Sequence, residues 1–433
     1  MATKLNNPRG TSDILPDEIS FWQTLESKGR QMLTLYGYRE IRTPVFEETA
    51  LFKRSLGEST EVVNKQLLEV KSQRVDADEA SSLALRPEGT APIVRAYNQN
   101  DLGREEYLSK LFYIGPMFRG ERPQKGRLRQ FHQIGAEAIG RGAHHPLIDA
   151  EMIALAVGML KSFGVEGFRV KINSLGSSED KANFAQWLRA QLKDRINHLS
   201  DDCKNQYERN VFRLLDSKDK DCQAVIRSLN IGTAHLSSKG LEYFNAVRCG
   251  LDSLGVAYEV SSNLVRGLDY YTHTVFEISY EGLGAQDAIG AGGRYNGLIE
   301  QLGGGDRRVE GEIGAIGFAL GIERILLALE EQGKQVKAGR VIDAFVVTGS
   351  HAQVDAAFLL VDKLRQAGLS ADMDYSARAF KKQFEHANKL GARFAFILGD
   401  EEIKKGQVSV KNMATGEQRS LSIDEAIKSI ERS

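Results

Sequence analysis

Cysteine is scarce in this chain of 433 residues: there are three, Cys203, Cys222 and Cys249, and none forms a CxxC pair. That usage excludes a disulfide framework and a cysteine-based zinc site, and makes a reduced cytoplasm the expected setting. No apolar run approaches the roughly 18 residues of a membrane span. Residues 1–7 lack the apolar core of a signal peptide, so none is expected. Net charge is nearly absent too, 57 Lys and Arg against 58 Asp and Glu. Taken as a sum, that balance argues against a nucleic-acid partner, which usually leaves a basic surplus. No GxxxxGK[ST] phosphate loop occurs, and the glycines of Gly317-Phe318-Ala319-Leu320-Gly321 do not follow GxGxxG order. There is no sign of internal repeats or low complexity.

What is present is an ordinary globular composition, 42% hydrophobic and 27% charged, with length enough for two or three domains. Apolar spacing predicts helices over 18–36 and 147–163, and strands over 110–114, 130–139, 264–265 and 274–280. Residues 38–46 read as extended chain interrupted by Pro44, and 176–262 as mostly charged and helical. Residues 317–329 read as a small-residue strand running into an amphipathic helix. A polar, glycine-containing break at 331–341 suits a linker. Beyond it, strands at 343–348, 394–398 and 408–412 alternate with helices at 354–366 and 380–390, the rhythm of a small α/β domain.

The chemistry-bearing residues cluster. Phe118-Arg119-Gly120-Glu121-Arg122-Pro123-Gln124-Lys125-Gly126-Arg127-Leu128-Arg129-Gln130-Phe131-His132-Gln133 holds five cations and one anion between Arg119 and Arg129. The plain alternative is a solvated basic hairpin, but flanking strands would fix the arginines, and guanidinium forks suit phosphate. In Leu264-Val265-Arg266-Gly267-Leu268-Asp269-Tyr270-Tyr271-Thr272 the tyrosines suit core packing, while a buried Arg266 needs an anionic partner, Asp269 or a ligand. Leu85-Arg86-Pro87-Glu88-Gly89-Thr90 reads as a turn before a helix capped by Thr90. His144-His145 has no further ligand at metal-site spacing and reads as a surface pair.

In this order, and with Gly317-Phe318-Ala319-Leu320-Gly321-Ile322-Glu323-Arg324 closing the series, the set resembles the class II histidyl-tRNA synthetases of bacterial type across essentially the whole chain. Pro8-Arg9-Gly10-Thr11 opens the resemblance, and Thr43-Pro44-Val45-Phe46-Glu47 is similar to the family's dimer-interface motif. The resemblance implies an α+β catalytic domain over 1–330, with an antiparallel six- or seven-stranded sheet flanked by helices and a helical insertion at about 176–262. A C-terminal α/β anticodon-binding domain over 342–433 is implied after the 331–341 linker. It also implies ATP as substrate with Mg2+, L-histidine, tRNA(His), a homodimer and no membrane.

Residue by residue, the resemblance implies catalytic arginines at Arg119 and Arg266, on either side of the ATP α-phosphate. The ATP site is implied at Arg119, Glu121, Phe131, Arg266 and Arg324, with Phe131 and Arg324 sandwiching adenine. Histidine recognition falls to Glu88, Gly89, Thr90 and Gln133 around the α-amino group, with Glu137 and Tyr271 at the imidazole and Tyr270 beside them. A pocket that bonds both ring nitrogens can discriminate by about 10⁴–10⁵, so no editing domain is expected. Arg122 and Gln124 match positions that approach the tRNA acceptor end. Residues 341–433 carry 13 positive and 13 negative side chains, which favours anticodon readout by shape and hydrogen bonds. No metal-ligand set is implied among the side chains.

Two alternatives belong to the same resemblance: a non-catalytic regulatory paralogue acting on ATP phosphoribosyltransferase, and a synthetase-derived RNA-binding sensor. The first generally lacks the anticodon domain and degrades the 264–271 segment, and the second needs no complete amino-acid pocket. Three positions depart from the family pattern: Gly120 for a bulky residue, Gly314 for a proline and Asn296 for an aspartate. Gly120 is expected to loosen its loop, and Gly314 to loosen the entry to its strand.

Overall fold

The structure is a computed structural model that describes residues 5–57, 60–71, 82–284, 286–304, 313–334 and 342–431. The chain divides into two compact units, one of Met1–Asp13 and Trp22–Val336, the other of Ile14–Phe21 and Lys337–Ser433. Most of the expected 331–341 linker lies outside the described residues; Glu331 closes the Ile322–Glu331 helix.

Eleven strands are described in the first unit: β1 (Arg39–Glu40), β2 (Phe46–Glu48), β3 (Leu68–Val70), β4 (Leu83–Leu85), β5 (Ser109–Phe118), β6 (Gln130–Gly140), β7 (Arg169–Ser174), β8 (Glu259–Val260), β9 (Thr272–Ser279), β10 (Ala288–Arg294) and β11 (Gly314–Gly321). The large sheet runs β1-β5-β6-β11-β10-β9-β7-β8, and β2-β4-β3 form a small separate sheet. From β5 across to β7 every pairing is antiparallel. These six strands are the expected antiparallel sheet. The two-residue strands β1 and β8 add parallel edges, which makes eight strands where six or seven were expected.

Alternation gives this sheet two unlike faces. On one, Phe131, Gln133, Gly135 and Glu137 of β6 lie opposite Met117, Gly115, Tyr113 and Leu111 of β5. The same face continues through Gly321, Ala319 and Gly317 of β11 to Ala291 and Gly293 of β10, and then to Glu277 of β9. Its centre is nearly all glycine and alanine, so side chains leave room above it. The other face is apolar, with Ile134, Ala136 and Ala138 beside Leu320, Phe318 and Ile316. The Pro16–Leu35, Pro146–Phe163 and Ile322–Glu331 helices lie on that side. Trp22, Leu25, Gly29 and Leu33 recur at helical spacing along the first of these and are its buried residues. The second opens on Pro146, with the His145 ring nitrogen accepting the Leu147 amide at 3.2 Å, so His145 serves as a helix cap.

The expected 264–265 strand is absent. Leu264 and Val265 are buried in an irregular segment instead, the Leu264 carbonyl taken by the Asn173 amide at 3.0 Å. The 176–262 stretch is helical, as Ser178–Leu192, Asp201–Arg209, Lys220–Ser228 and Ser238–Ser253. The first three bury Phe184, Leu188, Leu214 and Ile226, with Cys203 and Cys222 as buried filling, in a cluster continuous with Leu264, Val265, Tyr270 and Tyr271. The fourth packs on Pro146–Phe163, and β8 joins the main sheet, so the end of the stretch serves the sheet itself.

The second unit holds β12 (Ile342–Thr348), β13 (Ala371–Met373), β14 (Ala392–Leu398), β15 (Gln407–Asn412) and β16 (Gln418–Ser422), in the order β13-β12-β14-β15-β16. The first three are parallel and the last two antiparallel. Ala344 and Val346 face the Val354–Gln366 and Ile423–Glu431 helices, while Phe345 and Val347 face Phe380–Lys389, an α/β arrangement with a layer on each side.

Candidate active site

The small-residue face of the large sheet carries a cavity of ≈ 220 Å³. Glu88, Thr90, Arg119, Glu121, Phe131, Gln133, Arg266, Tyr270, Tyr271 and Arg324 all line it. Five separate segments deliver them: the turn before the Thr90–Gln99 helix, the β5–β6 hairpin, β6 itself, the irregular 261–271 segment, and the start of Ile322–Glu331.

Arg119 donates from Nε to the Pro87 carbonyl at 2.9 Å and lies over the Phe131 ring, 5.1 Å from its centroid. Burial lowers its pKa. Arg266 is held by Glu277 through Nη1 at 2.6 Å, while its buried Nε has no partner. Arg324 donates to the Ala288 and Lys125 carbonyls, both at 3.3 Å. Gln133 Oε1 is likewise buried without a partner. A buried unpaired acceptor and a buried unpaired donor in the wall of one cavity are costly, and a bound ligand is what satisfies such groups.

Glu88, and not Thr90, caps the helix at 90: its carboxylate accepts the amides of Thr90 at 2.6 Å and Ala91 at 2.9 Å. The Thr90 hydroxyl is thereby free to donate to Glu137 Oε1 at 2.7 Å, and the Tyr295 hydroxyl donates to Glu137 Oε2. Glu137 is fully buried on the same face of the sheet as Gln133, outside the cavity lining. Burial pushes its carboxyl up to about 8. A Cβ on Gly317, which lines the cavity, would sit 1.6 Å from Glu137 Oε2. Only glycine leaves the carboxylate its place. Tyr271 packs on Gly293, where a Cβ would lie 2.8 Å from its ring, and burial raises its hydroxyl to about 12. The Tyr270 and Tyr271 rings lie 4.6 Å apart.

Family comparison agrees with this geometry. A family model described as "Histidyl-tRNA synthetase" matches residues 10–325, and one described as "Anticodon binding domain" matches 343–433. The chain belongs to the histidyl-tRNA synthetase family. The histidine–tRNA ligase of Moorella thermoacetica is 44% identical over 96% of this chain and 95% of its own length, and that of Bacillus subtilis 43% identical over 98% and 97%. The structure of apo histidyl-tRNA synthetase from S. aureus superposes with a TM-score of 0.80 at 35% identity, covering 99% of this chain and all of that one. The synthetase-family fold is therefore the class II one, an antiparallel sheet with flanking helices, followed by an anticodon-binding domain.

Of the residues implied by the family resemblance, Arg122 and Gln124 are exposed outside the cavity, on the hairpin tip that the Gln124–Arg127 bridge closes. Gly89 does not line the cavity; a Cβ there would strike the Tyr113 ring at 2.3 Å. Arg127, Leu128 and Leu268 are lining residues that sequence reasoning missed, and so is Tyr113. Its signal was available, because β5 and β6 alternate and Tyr113 falls opposite Gly135, which also clears its ring. The family departures are accommodated. Gly120 donates its amide to the Gln66 carbonyl at 2.6 Å, which ties the loop down where loosening was expected. Gly314 is buried and paired with Gly140, and its missing Cβ would meet the Ala143 and His144 backbone at 2.6 and 2.7 Å. It lets the 141–144 turn close over the strand instead of loosening its entry. Asn296 Oδ1 accepts from Arg294 Nη1 at 3.1 Å and the Ala315 amide at 2.9 Å.

Proposed function

We propose that the cavity activates L-histidine with ATP to histidyl-adenylate and then passes the histidyl group to the 3′ end of tRNA(His). One observation carries this reading. Arg266 Nε and Gln133 Oε1, buried and without partners, share a cavity wall with Arg119 and the flat Phe131 ring. The donor suits a phosphate oxygen and the acceptor suits an ammonium.

In the first step a histidine carboxylate oxygen bonds to the α-phosphorus as the bond to pyrophosphate breaks. The carboxylate is already ionised, so no general base is needed. Arg119 and Arg266 counter the charge that develops on the α-phosphate, acting where burial strengthens them. Phe131 and Arg324 hold the adenine, and Glu121 lies on the same wall. Gln133 takes the α-amino group with Glu88 and Thr90, while Tyr271 and the buried Glu137 carboxyl select the imidazole. In the second step a ribose hydroxyl of the tRNA attacks the adenylate carbonyl and AMP leaves, with Arg122 and Gln124 guiding the acceptor end. Residues 342–433 hold the anticodon, as a domain separate from the catalytic 1–330.

Among the described residues no group of three or more His, Cys, Asp or Glu is placed to hold a metal ion. Glu121, on the cavity wall, is the carboxylate that would help hold a Mg2+ entering with ATP. The homodimer reading is supported by Val45, Phe46 and Val70, which leave apolar surface exposed on and beside the small sheet. No helix among the described residues is long and apolar enough to cross a membrane. Free thiols at Cys203, Cys222 and Cys249 suit a cytoplasmic setting. Histidine-dependent exchange of pyrophosphate into ATP tests the whole reading; its absence in a folded preparation overturns it.

A further inference from the structure

The Ser261–Tyr271 stretch has no regular strand or helix, yet it supplies Arg266, Leu268, Tyr270 and Tyr271 to the cavity wall. A sheet ladder does not fix its backbone, so other groups must. Three of them come from the helical insertion. Arg213 Nη2 donates to the Gly267 carbonyl at 2.7 Å, next to Arg266. Asn210 Nδ2 donates to Asp269 Oδ1 at 2.8 Å. Lys181 Nζ donates to the Asp269 carbonyl at 2.7 Å and to the Tyr271 carbonyl at 2.8 Å, which bracket Tyr270.

Lys181 is the telling residue. It sits in the first turn of Ser178–Leu192, the helix end where a cation is least favourable. Its ammonium is drawn out of solvent onto two backbone carbonyls. The tyrosine segment needs a donor with more than one hydrogen to hold both carbonyls that flank Tyr270.

We propose that the helical insertion sets the shape of the amino-acid site, with Lys181 and Asn210 as positioning residues for Tyr270 and Tyr271 and Arg213 as a positioning residue for Arg266. This rests on the reading of the cavity given above. Of the two halves of the contact, the lysine end serves histidine and the arginine end serves the phosphate. Removing each should therefore damage a different kinetic constant.

The test is steady-state pyrophosphate exchange with the full chain, varying histidine and ATP separately. Lys181→Met is expected to raise KM for histidine about tenfold with KM for ATP within about twofold, and Arg213→Ala to lower kcat about tenfold with KM for histidine within about twofold. Lys181→Gln, which keeps a donor, should recover part of the lost histidine affinity. A general loosening of the fold would move both substrates together, and that result, or an unchanged KM for histidine in Lys181→Met, overturns the proposal. If Lys181→Met does not fold, Asn210→Ala decides in the same way, a raised histidine KM supporting the proposal and an unchanged one overturning it. Absence of exchange by the unaltered chain overturns the cavity reading and this proposal together; exchange with an unmoved histidine KM overturns this proposal alone.

Discussion

Thr90 and Glu137 are joined by a 2.7 Å hydrogen bond in which the hydroxyl donates and the buried carboxyl accepts. Glu137 has no basic partner there; Thr90 and Tyr295 both offer neutral hydroxyls. Burial therefore wins over hydrogen bonding, and the carboxyl keeps its proton up to about pH 8. The sign follows from proton counting. Between the ordinary carboxylate range and pH 8 the native state binds a proton that the unfolded state has lost, so stability falls as pH rises. Above pH 8 the dependence from this group is flat. Glu137→Gln removes the titration, and its stability relative to the parent should improve by about 2–3 kcal/mol between pH 6 and pH 9. Urea denaturation at the two pH values measures this; a constant difference would refute it.

Arg266 lines the cavity, keeps a buried Nε unpaired and is held through Nη1 by Glu277. Arg266→Ala should leave the sheet intact and reduce histidine-dependent exchange by about 10²–10³, the loss seen when one preorganised donor to a developing charge is removed. Circular dichroism and exchange rates on the same preparation separate folding from chemistry.

The site was legible where strand alternation and short motifs carried it. Phe131, Gln133 and Glu137 are separated by even numbers of residues and share a face because β6 is regular. Arg119, Arg266 and Arg324 lie in one cavity, which neutral net charge could not reveal because the cations are grouped by folding. The 264–265 segment was misread because an apolar pair beside polar residues signals burial, and here the burial is achieved by Asn173 and the insertion, not by a ladder. Thr90 was misread as the cap because Glu88, two residues earlier, competes for the same amides and reaches them. The short strands β13 and β16 went unseen because three to five residues give alternation little room to show.

Asp149 and Arg294 form a fully buried ion pair beneath β10, with the Tyr243 hydroxyl donating to Asp149 at 3.2 Å and Asn296 accepting from Arg294. Asp149→Ala removes the buried carboxylate that Arg294 pairs with and should cost about 3–5 kcal/mol, read as a lower urea midpoint.

Gly317 tests whether Glu137 must lie where it does. A Cβ there would overlap Glu137 Oε2 and would also lie 2.7 Å from the Ala136 carbonyl. The carboxyl is the movable partner, so Gly317→Ala should displace it and break the bonds from Thr90 and Tyr295. Histidine recognition then suffers more than nucleotide binding, because Phe131 and Arg324 are untouched. The expected result is a rise of about tenfold or more in KM for histidine with KM for ATP within about threefold. The pH dependence of stability should weaken in the same variant, since a displaced carboxyl nearer solvent no longer holds its proton to pH 8. Kinetics and pH-dependent denaturation on one variant thus check the same contact by independent routes, and unchanged histidine KM would show that the position of Glu137 is immaterial.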